Sequence, residues 1–206
     1  MTKNETELRI EGFAVRAPTT DDLAAVVNLS NTVALADTGA PETTPSERAT
    51  EWTLPEFDLA TDARLILTPD GRLAAYVELW DEAPHVRHQI RGRVHPDYRG
   101  RGLGNSLMAW AEARACQSLG KAPPEARVSL HTSAPHQNEA AQALFRSRGF
   151  EPARCFYRML IEMVPGAPPP HAVAPNVVAL RPFVLGVDDR ATHRTLDAAF
   201  QDHWGY

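Results

Sequence analysis

The feature that most constrains the fold is a glycine-rich stretch that joins a predicted strand to a predicted helix. Residues 86–94 have a strand pattern, residues 103–119 carry apolar side chains at helical spacing, and residues 99–104 between them read Arg-Gly-Arg-Gly-Leu-Gly. The first N–H groups of a helix have no partner within it, and the helix dipole is positive at that end. Glycines let a bulky anion approach the main chain closely. The stretch therefore predicts a binding site for phosphate or pyrophosphate.

Two arginines in this stretch, Arg99 and Arg101, add fixed positive charge. Guanidinium groups donate paired hydrogen bonds to phosphate oxygens. A P-loop would place a Gly-Lys-Ser/Thr sequence here, but no lysine follows the glycines. A dinucleotide fingerprint needs the spacing Gly-x-Gly-x-x-Gly, whereas this chain has Gly-x-Gly-x-Gly. The spacing thus argues against both of these common phosphate-binding motifs.

The composition indicates one substantial domain with some additional chain. The chain has 206 residues, of which 43% are hydrophobic, which is enough for a buried core. Its net charge of −5 argues against nucleic-acid and anionic-membrane partners. No apolar run is long enough for a membrane helix, and the polar N-terminus lacks the apolar core of a signal peptide. The two cysteines make no disulfide framework, so we expect a cytoplasmic protein.

Periodicity along the chain predicts alternating strands and helices. Helices are expected to begin near Thr20 and Pro45 and to cover residues 103–119 and 136–148. Strands are predicted over residues 13–17, 63–68, 72–80, 86–94, 127–132 and 150–163. This order favours a mixed sheet flanked by helices, an α/β (α+β) fold.

Two motifs carry a resemblance to a known family. The first is Val94-x-Pro96-x-Tyr98-Arg99-x-x-Gly102-x-Gly104, and the second is Asn138-x-x-Ala141-x-x-Leu144-Phe145-x-x-x-Gly149-Phe150. With both motifs in order, residues 13–163 resemble the GNAT superfamily of N-acetyltransferases. The resemblance implies a mixed, mostly antiparallel central sheet with flanking helices and a splayed groove for acyl-CoA. It also implies that an amine attacks the thioester of acetyl-CoA directly.

The resemblance assigns roles to residues at both motifs. Backbone groups of the strand that ends at Arg93 and Val94 would bind the pantetheine arm, and the amide near Val94 would polarise the thioester carbonyl. The pyrophosphate would lie on Arg99, Gly100, Arg101, Gly102, Leu103 and Gly104. Asn138 would hydrogen-bond the pantetheine, although an asparagine here can equally satisfy backbone donors at a helix start.

The sequence leaves the proton-transfer groups open. Glu78 and His88 are candidates for a general base, because a base must lie within hydrogen-bond reach of the amine. Glu78 can instead pair with a neighbouring arginine, and His88 can be solvated. No metal site is expected, because His85 and His88 have no third ligand at a recognised spacing.

One position departs from the family pattern. Phe145, in the cofactor-binding motif, stands where the family commonly has a tyrosine that protonates the departing thiolate. A phenyl ring cannot donate a proton. The sequence therefore supports an acetyl-CoA-dependent N-acetyltransferase and leaves one alternative, a noncatalytic acyl-CoA-binding or structural module of a tandem GNAT protein.

Beyond residue 163 the composition changes. Residues 164–176 form a proline-rich linker, and residues 177–206 echo the chain's first strand and helix, with Arg181, Asp188 and Asp189 in the places of Arg16, Asp21 and Asp22. We expect a flexible segment over residues 1–12, a GNAT domain over residues 13–163 and a partial second copy over residues 177–206, as in tandem members of the superfamily. The apolar stripe of the last helix would pack on the first domain or form a homodimer. The acceptor would be an amine of a small molecule or protein.

Overall fold

The computed structural model describes residues 8–157, 159–166 and 179–202 and divides the chain into two units, Met1–Arg154 and Cys155–Tyr206. This division falls earlier than the boundary predicted at residue 163. Most of the predicted linker and of the predicted flexible N-terminus lies outside the described residues.

Within its described residues, the first unit contains one five-stranded sheet with the strand order β1-β2-β3-β4-β5. Neighbouring strands run antiparallel except for β4 and β5, which are parallel. The mixed, mostly antiparallel sheet confirms the predicted fold class. The strands are β1 (Ala14–Arg16), β2 (Ala63–Leu67), β3 (Leu73–Asp81), β4 (Arg87–Val94) and β5 (Ser129–His131).

Five helices accompany the sheet in the described part of this unit. They are α1 (Leu23–Thr38), α2 (Pro45–Trp52), α3 (Leu59–Asp62), α4 (Leu103–Cys116) and α5 (Glu139–Ser147). The start of α2 confirms the prediction, because Thr44 accepts a hydrogen bond from the backbone N–H of Glu47 and proline suits the first helical position. Residue 20 opens a short 3₁₀ turn instead, so α1 begins three residues later than predicted.

Helices cover the sheet on both faces, so β3 is buried along almost its whole length. One core cluster joins α4 to alternate residues of β3 and β4, including Val77, Leu79 and Ile90. The other joins α1 and α2 to the opposite face through Tyr76 and Trp80. Because strand side chains alternate between faces, this parity decides which side chains of β3 and β4 can meet.

The strand predicted over residues 150–163 is wrong for the part of it that the structure describes, which contains no strand. Its apolar residues are mostly in water; Phe156, Met159 and Ile161 are 75%, 90% and 84% exposed. A strand exists only through hydrogen bonds to a neighbouring strand. A run of apolar residues indicates a preference for burial, but it does not show that a neighbouring strand is present.

Two helices are shorter than predicted. α4 ends at Cys116 and is followed by a 3₁₀ turn at Leu119–Lys121, whereas the prediction continued it to residue 119. α5 begins at Glu139, because the Asn138 side chain accepts the N–H of Ala141 and caps the helix there. Helix ends are set by such local hydrogen bonds, and the spacing of apolar residues along the sequence does not reveal them.

The second unit contains one helix in its described part, α6 (Asp189–Phe200). The Arg181 guanidinium lies against both carboxylate oxygens of Asp188, whose Oδ2 also accepts the N–H of Val184. The first unit holds the same arrangement, in which Arg16 donates to both oxygens of Asp22 and the N–H of Thr19 donates to Oδ2. The two stretches thus share a local hydrogen-bond pattern, but in it Asp188 corresponds to Asp22, whereas the sequence comparison placed Asp188 opposite Asp21.

Candidate functional site

The glycine-rich turn between β4 and α4 leaves space in front of a helix N-terminus. Gly100 and Gly102 have φ values of +74° and +80°, a region that other residues enter only with strain. A Cβ at either position would meet nothing within 4 Å, so the main chain there is open to an approaching group. Gly102 caps α4, and Leu103, only 1% exposed, anchors the turn in the core.

Gly104 serves a different purpose from the two glycines before it. A Cβ there would lie 3.1 Å from Cδ2 of Leu144 on α5. This contact is tight, so the missing side chain lets α4 and α5 approach each other. Part of the motif therefore places the second motif against the first.

The three arginines around the turn have different partners. Arg93 donates to both carboxylate oxygens of Glu42, at 2.7 Å each. Arg99 donates from Nη1 to Oδ1 of Asp37 at 2.8 Å. Arg101 is exposed, and its guanidinium lies 5.2 Å from the ring centroid of Tyr98. Arg93 and Arg99 are thus paired with carboxylates of the α1–α2 segment, so Arg101 is the best placed of the three for an anion.

The register of β4 determines which of its backbone groups face away from β3. His95 donates its N–H to the carbonyl of Ala74, and the antiparallel register runs unbroken from that pair through Asp81 opposite His88. In an antiparallel pair, successive residues point their N–H and C=O groups to opposite edges. The backbone groups of Ile90, Gly92 and Val94 therefore point away from β3.

On that free edge, β4 and β5 separate after only three paired positions. The pairs are Arg87 with Ser129, His88 with Leu130 and Gln89 with His131. Beyond Gln89 no pairing joins the two strands, so a groove opens between residues 90–94 and the chain after His131. The N–H groups of Ile90, Gly92 and Val94 face this groove. Their carbonyls accept hydrogen bonds from the side chains of Gln89, Arg93 and Arg99. An extended ligand with amide groups can pair with such an edge in the manner of a strand.

Asn138 lies beyond β5 and makes two hydrogen bonds. Its Oδ1 accepts the N–H of Ala141, and its Nδ2 donates to Oδ2 of Asp37 at 2.8 Å. Asp37 thus receives hydrogen bonds from Asn138 and from Arg99, on opposite sides of the groove. The sequence carries no local signal for this role of Asp37, because its partners lie 62 and 101 positions away.

Glu78 is held inside the α1–α2 face of the sheet. It is 1% exposed, and Arg48 donates from Nη1 to both of its carboxylate oxygens, at 2.9 and 3.0 Å. The hydroxyl of Tyr76 donates to Oε2 at 2.7 Å, and burial raises the pKa of that tyrosine well above its ordinary value. Pairing with an arginine is the alternative that the sequence left open for this carboxylate.

His88 lies on the opposite face of the sheet from Glu78, so the two candidate bases do not share a site. It is 1% exposed, and its Nε2 lies 3.1 Å from Oδ1 of Asp81. That same oxygen lies 2.8 Å from Nδ1 of His85. Burial lowers the pKa of His88, and the charge of Asp81 offsets this only in part. His88 is buried rather than solvated, and its catalytic role stays a prediction.

Phe145 is half-buried on α5 and belongs to the partly buried shell of the α4 core. Its ring centroid lies 6.1 Å from that of Phe150. The position therefore holds a packed aromatic ring that carries no hydroxyl.

Over residues 8–157, 159–166 and 179–202, no group of three or more His, Cys, Asp or Glu side chains could hold a metal ion. In those same stretches, no helix is both long enough and apolar enough to cross a bilayer.

Comparisons with known proteins agree with this geometry. A family model described as the acetyltransferase (GNAT) domain matches residues 61–152, which span β2 through α5 and therefore both sides of the groove. The chain contains a GNAT acetyltransferase domain. Members of this family use acetyl-CoA. The residues of the groove fit that molecule, because the GNAT domain offers an open turn for a pyrophosphate beside a strand edge whose N–H groups can pair with an amide-bearing arm.

The GNAT domain has curated relatives named mycothiol acetyltransferase. The one from Frankia casuarinae is 34% identical over 140 residues, covering 66% of this chain and 36% of the relative. The one from Streptomyces griseus is 34% identical over 138 residues, covering 67% and 41%. The chain thus spans less than half the length of these relatives.

Solved structures resemble the chain as well. A GCN5-related N-acetyltransferase from Sphaerobacter thermophilus matches with a TM-score of 0.78 and 30% identity, over 93% of this chain and 59% of that one. A putative acetyltransferase from Salmonella typhimurium, solved with its cofactor acetyl-CoA, matches with a TM-score of 0.54 and 20% identity, over 68% and 80% of the two chains. The second likeness concerns the fold alone.

Proposed function

We propose that this chain binds acetyl-CoA in the groove between β4 and β5 and transfers the acetyl group to an amine. The observation that carries the proposal is the free edge of β4 beside the open turn at Gly100 and Gly102. The two features are contiguous, since β4 ends at Val94 and the turn begins five residues later. A long ligand with an amide-bearing arm and a pyrophosphate can engage both at once.

Acetyl-CoA supplies an acetyl thioester, which is the electrophile. The chain supplies binding and polarisation. The N–H groups of Ile90, Gly92 and Val94 point to the groove, and one of them near Val94 would donate to the thioester carbonyl and stabilise the negative charge that develops there. Backbone donors held in a sheet do not reorganise during reaction, so they stabilise that charge at low cost.

Arg101 and the N-terminus of α4 would hold the pyrophosphate. Arg101 is exposed and its guanidinium lies 5.2 Å from the ring centroid of Tyr98, while the backbone N–H groups that start α4 add a positive dipole end. Arg99 would contribute through its main chain, because its guanidinium is already paired with Asp37. Arg93 would not contact the ligand, because its guanidinium is paired with Glu42 and its backbone groups point to β3, which corrects the expectation that its main chain binds the pantetheine arm.

The acceptor is an amine, and the curated relatives indicate which amines to try first. Those relatives carry mycothiol in their names, so the panel includes the deacetylated form of mycothiol beside simple amines and peptide amines. The test is release of free thiol from acetyl-CoA with each amine, together with mass detection of the acetylated product. Transfer to at least one amine supports the proposal, and binding of acetyl-CoA without transfer to any amine in the panel contradicts the catalytic part of it.

We further propose that residues 177–206 repeat the opening of the GNAT domain. The support is the shared arrangement in which an arginine donates to both oxygens of an aspartate before a helix, formed by Arg16 with Asp22 and by Arg181 with Asp188. Each arrangement is local, since the arginine lies six residues before the aspartate in the first case and seven in the second.

A further inference from the structure

We propose that Asp37 is a positioning residue that ties the two sides of the groove together and holds Asn138 ready for acyl-CoA. The proposal rests on the proposed function of the groove. The new element is a role for the end of α1, a part of the chain that lies outside both sequence motifs.

The contacts of Asp37 span the groove. Its side chain is 8% exposed, with Oδ1 accepting from Arg99 and Oδ2 accepting from Asn138, each at 2.8 Å. Arg99 follows β4 and begins the glycine-rich turn, while Asn138 follows β5 and caps α5. One carboxylate therefore connects the ends of the two strands whose separation makes the groove.

The location of Asp37 is unfavourable for a helix taken alone. It lies in the last turn of α1, where the dipole is negative and a carboxylate is destabilising. Its burial adds a desolvation cost that only hydrogen-bonded partners offset. A chain selected only for helix stability would not place an aspartate there, so the local cost points to a use beyond α1.

The consequence for Asn138 follows from its inventory of hydrogen bonds. Its oxygen accepts the N–H of Ala141, and one of its two N–H groups donates to Asp37. Both ends of the amide are then fixed, which selects one orientation of the group. The same orientation fixes the direction of the second N–H of Asn138. A carbonyl of the ligand arm can then accept this N–H without further loss of conformational freedom in the Asn138 side chain.

The replacement Asp37→Asn tests this arrangement with minimal change of shape. An amide has one oxygen, so it can accept from Arg99 or from Asn138 but not from both through separate oxygens. We expect the dissociation constant of acetyl-CoA, measured by calorimetry on the full chain, to rise about tenfold, as for one lost charge-assisted hydrogen bond. The thermal midpoint should stay the same or rise, because a charge that opposes the helix dipole is removed.

The matched control is Asp97→Asn, which makes the same charge change just before the turn. The Asp97 side chain is 81% exposed, and its Oδ2 lies 3.8 Å from Nδ1 of His95. We expect a change of less than twofold in affinity for this variant. An equal change in both variants would overturn the proposal, because it would reduce the effect of Asp37 to general electrostatics.

A second measurement does not depend on the ligand. In Asp37→Asn, hydrogen exchange of residues 138–142 should accelerate in the free protein, because the α5 cap loses one of its supports. Unchanged exchange there, or acetyl-CoA binding that is unchanged or tighter in Asp37→Asn, would overturn the proposal. Failure of the unmodified chain to bind acetyl-CoA would instead contradict the proposed function, and faster exchange in the variant would still support the tie.

Discussion

At the scale of single residues, the buried carboxylate of Glu78 is hydrogen-bonded to partners inside the fold. Glu78 neutralises the buried Arg48 guanidinium, which also lies 3.0 Å from Glu51. Removing one member of a buried pair leaves the other charge without compensation, which costs several kcal/mol. This pairing makes a stability role for Glu78 testable separately from a catalytic one.

We predict that Glu78→Gln lowers the free energy of unfolding by about 2–4 kcal/mol in urea titrations, because the Arg48 charge stays buried. The matched variant Glu51→Gln should cost less, since the Glu51 side chain is 33% exposed and solvent replaces part of its role. A Glu78→Gln variant with unchanged stability and abolished transfer would contradict this account and restore Glu78 as the general base.

Phe145 offers a second test at this scale. The ring is already half-buried against Phe150, so Phe145→Tyr adds a hydroxyl with little repacking. If protonation of the departing thiolate limits turnover, the variant should raise kcat about tenfold or more, in the range of general acid catalysis. The control is Phe150→Tyr, which adds the same hydroxyl to the neighbouring ring. No gain in kcat for Phe145→Tyr would contradict the missing-acid explanation.

Some roles of single residues can be predicted from the sequence, and others cannot. The glycines at positions 100 and 102 were predictable, because a strand-to-helix turn with positive φ leaves a local signature. The tie through Asp37 was not, because it joins residues 62 and 101 positions apart. The packing role of Gly104 was not predicted, since its contact with Leu144 depends on how α4 and α5 meet.

At the scale of elements, the register of β4 makes a specific prediction about backbone protection. The N–H groups of Arg91 and Arg93 point to β3, whereas those of Ile90, Gly92 and Val94 point to the groove. In the free protein, the second set should exchange with solvent faster than the first. Acetyl-CoA should slow the second set and leave the first unchanged, as measured by residue-resolved NMR exchange. Uniform protection along β4 in the absence of ligand would contradict the open edge.

The connection from β1 to α1 carries a pH-dependent contribution. Hydrogen bonds from Arg16 lower the pKa of Asp22 from its ordinary value of 3.8 to about 2. A depressed carboxyl pKa stabilises the fold above the unfolded value and loses that effect as pH falls through the folded value. Asp22→Asn should therefore cost about 1 kcal/mol at pH 7, a value reduced for solvent screening, and only a small fraction of that at pH 2, where the folded carboxyl is half protonated.

The control for this prediction is Asp188→Asn, which removes the same local arrangement from the second unit. Unfolding of the first unit, followed by tryptophan fluorescence at pH 7 and at pH 2, should respond to Asp22→Asn alone. A cost for Asp22→Asn that is equal at both pH values would contradict the assignment to this carboxylate.

Element-scale prediction succeeded where local chemistry decides an element. Proline and a threonine cap fix the start of α2, and β2 and β3 have clear strand patterns. It failed for the described part of residues 150–163. The apolar composition of this segment predicts a strand, but a local pattern cannot show whether another strand is available to pair with it. Sheet membership is a nonlocal property, and for that segment the sequence offered no partner to name.

At the scale of the whole molecule, two features converge on one groove. The sheet brings a free strand edge next to an open glycine turn, and helices on both faces hold that sheet. The order and spacing of the motifs predicted the mixed sheet, and the family model that matches residues 61–152 covers both sides of the groove. The acceptor amine was not predictable, because loops on one fold vary with function.

The most direct test of the central proposal is calorimetric titration of the 206-residue chain with acetyl-CoA, with CoA in parallel. We predict binding near 1:1 that Gly102→Glu weakens by about a hundredfold or more, because a charged side chain would occupy the space in front of α4 in a strained backbone conformation. Gly120→Glu, which adds the same charge at an exposed site beyond the other end of α4, should bind as the unmodified chain does. Absence of binding by the unmodified chain, or equal binding by Gly102→Glu, would contradict the proposal that the turn and the β4 edge form an acyl-CoA site.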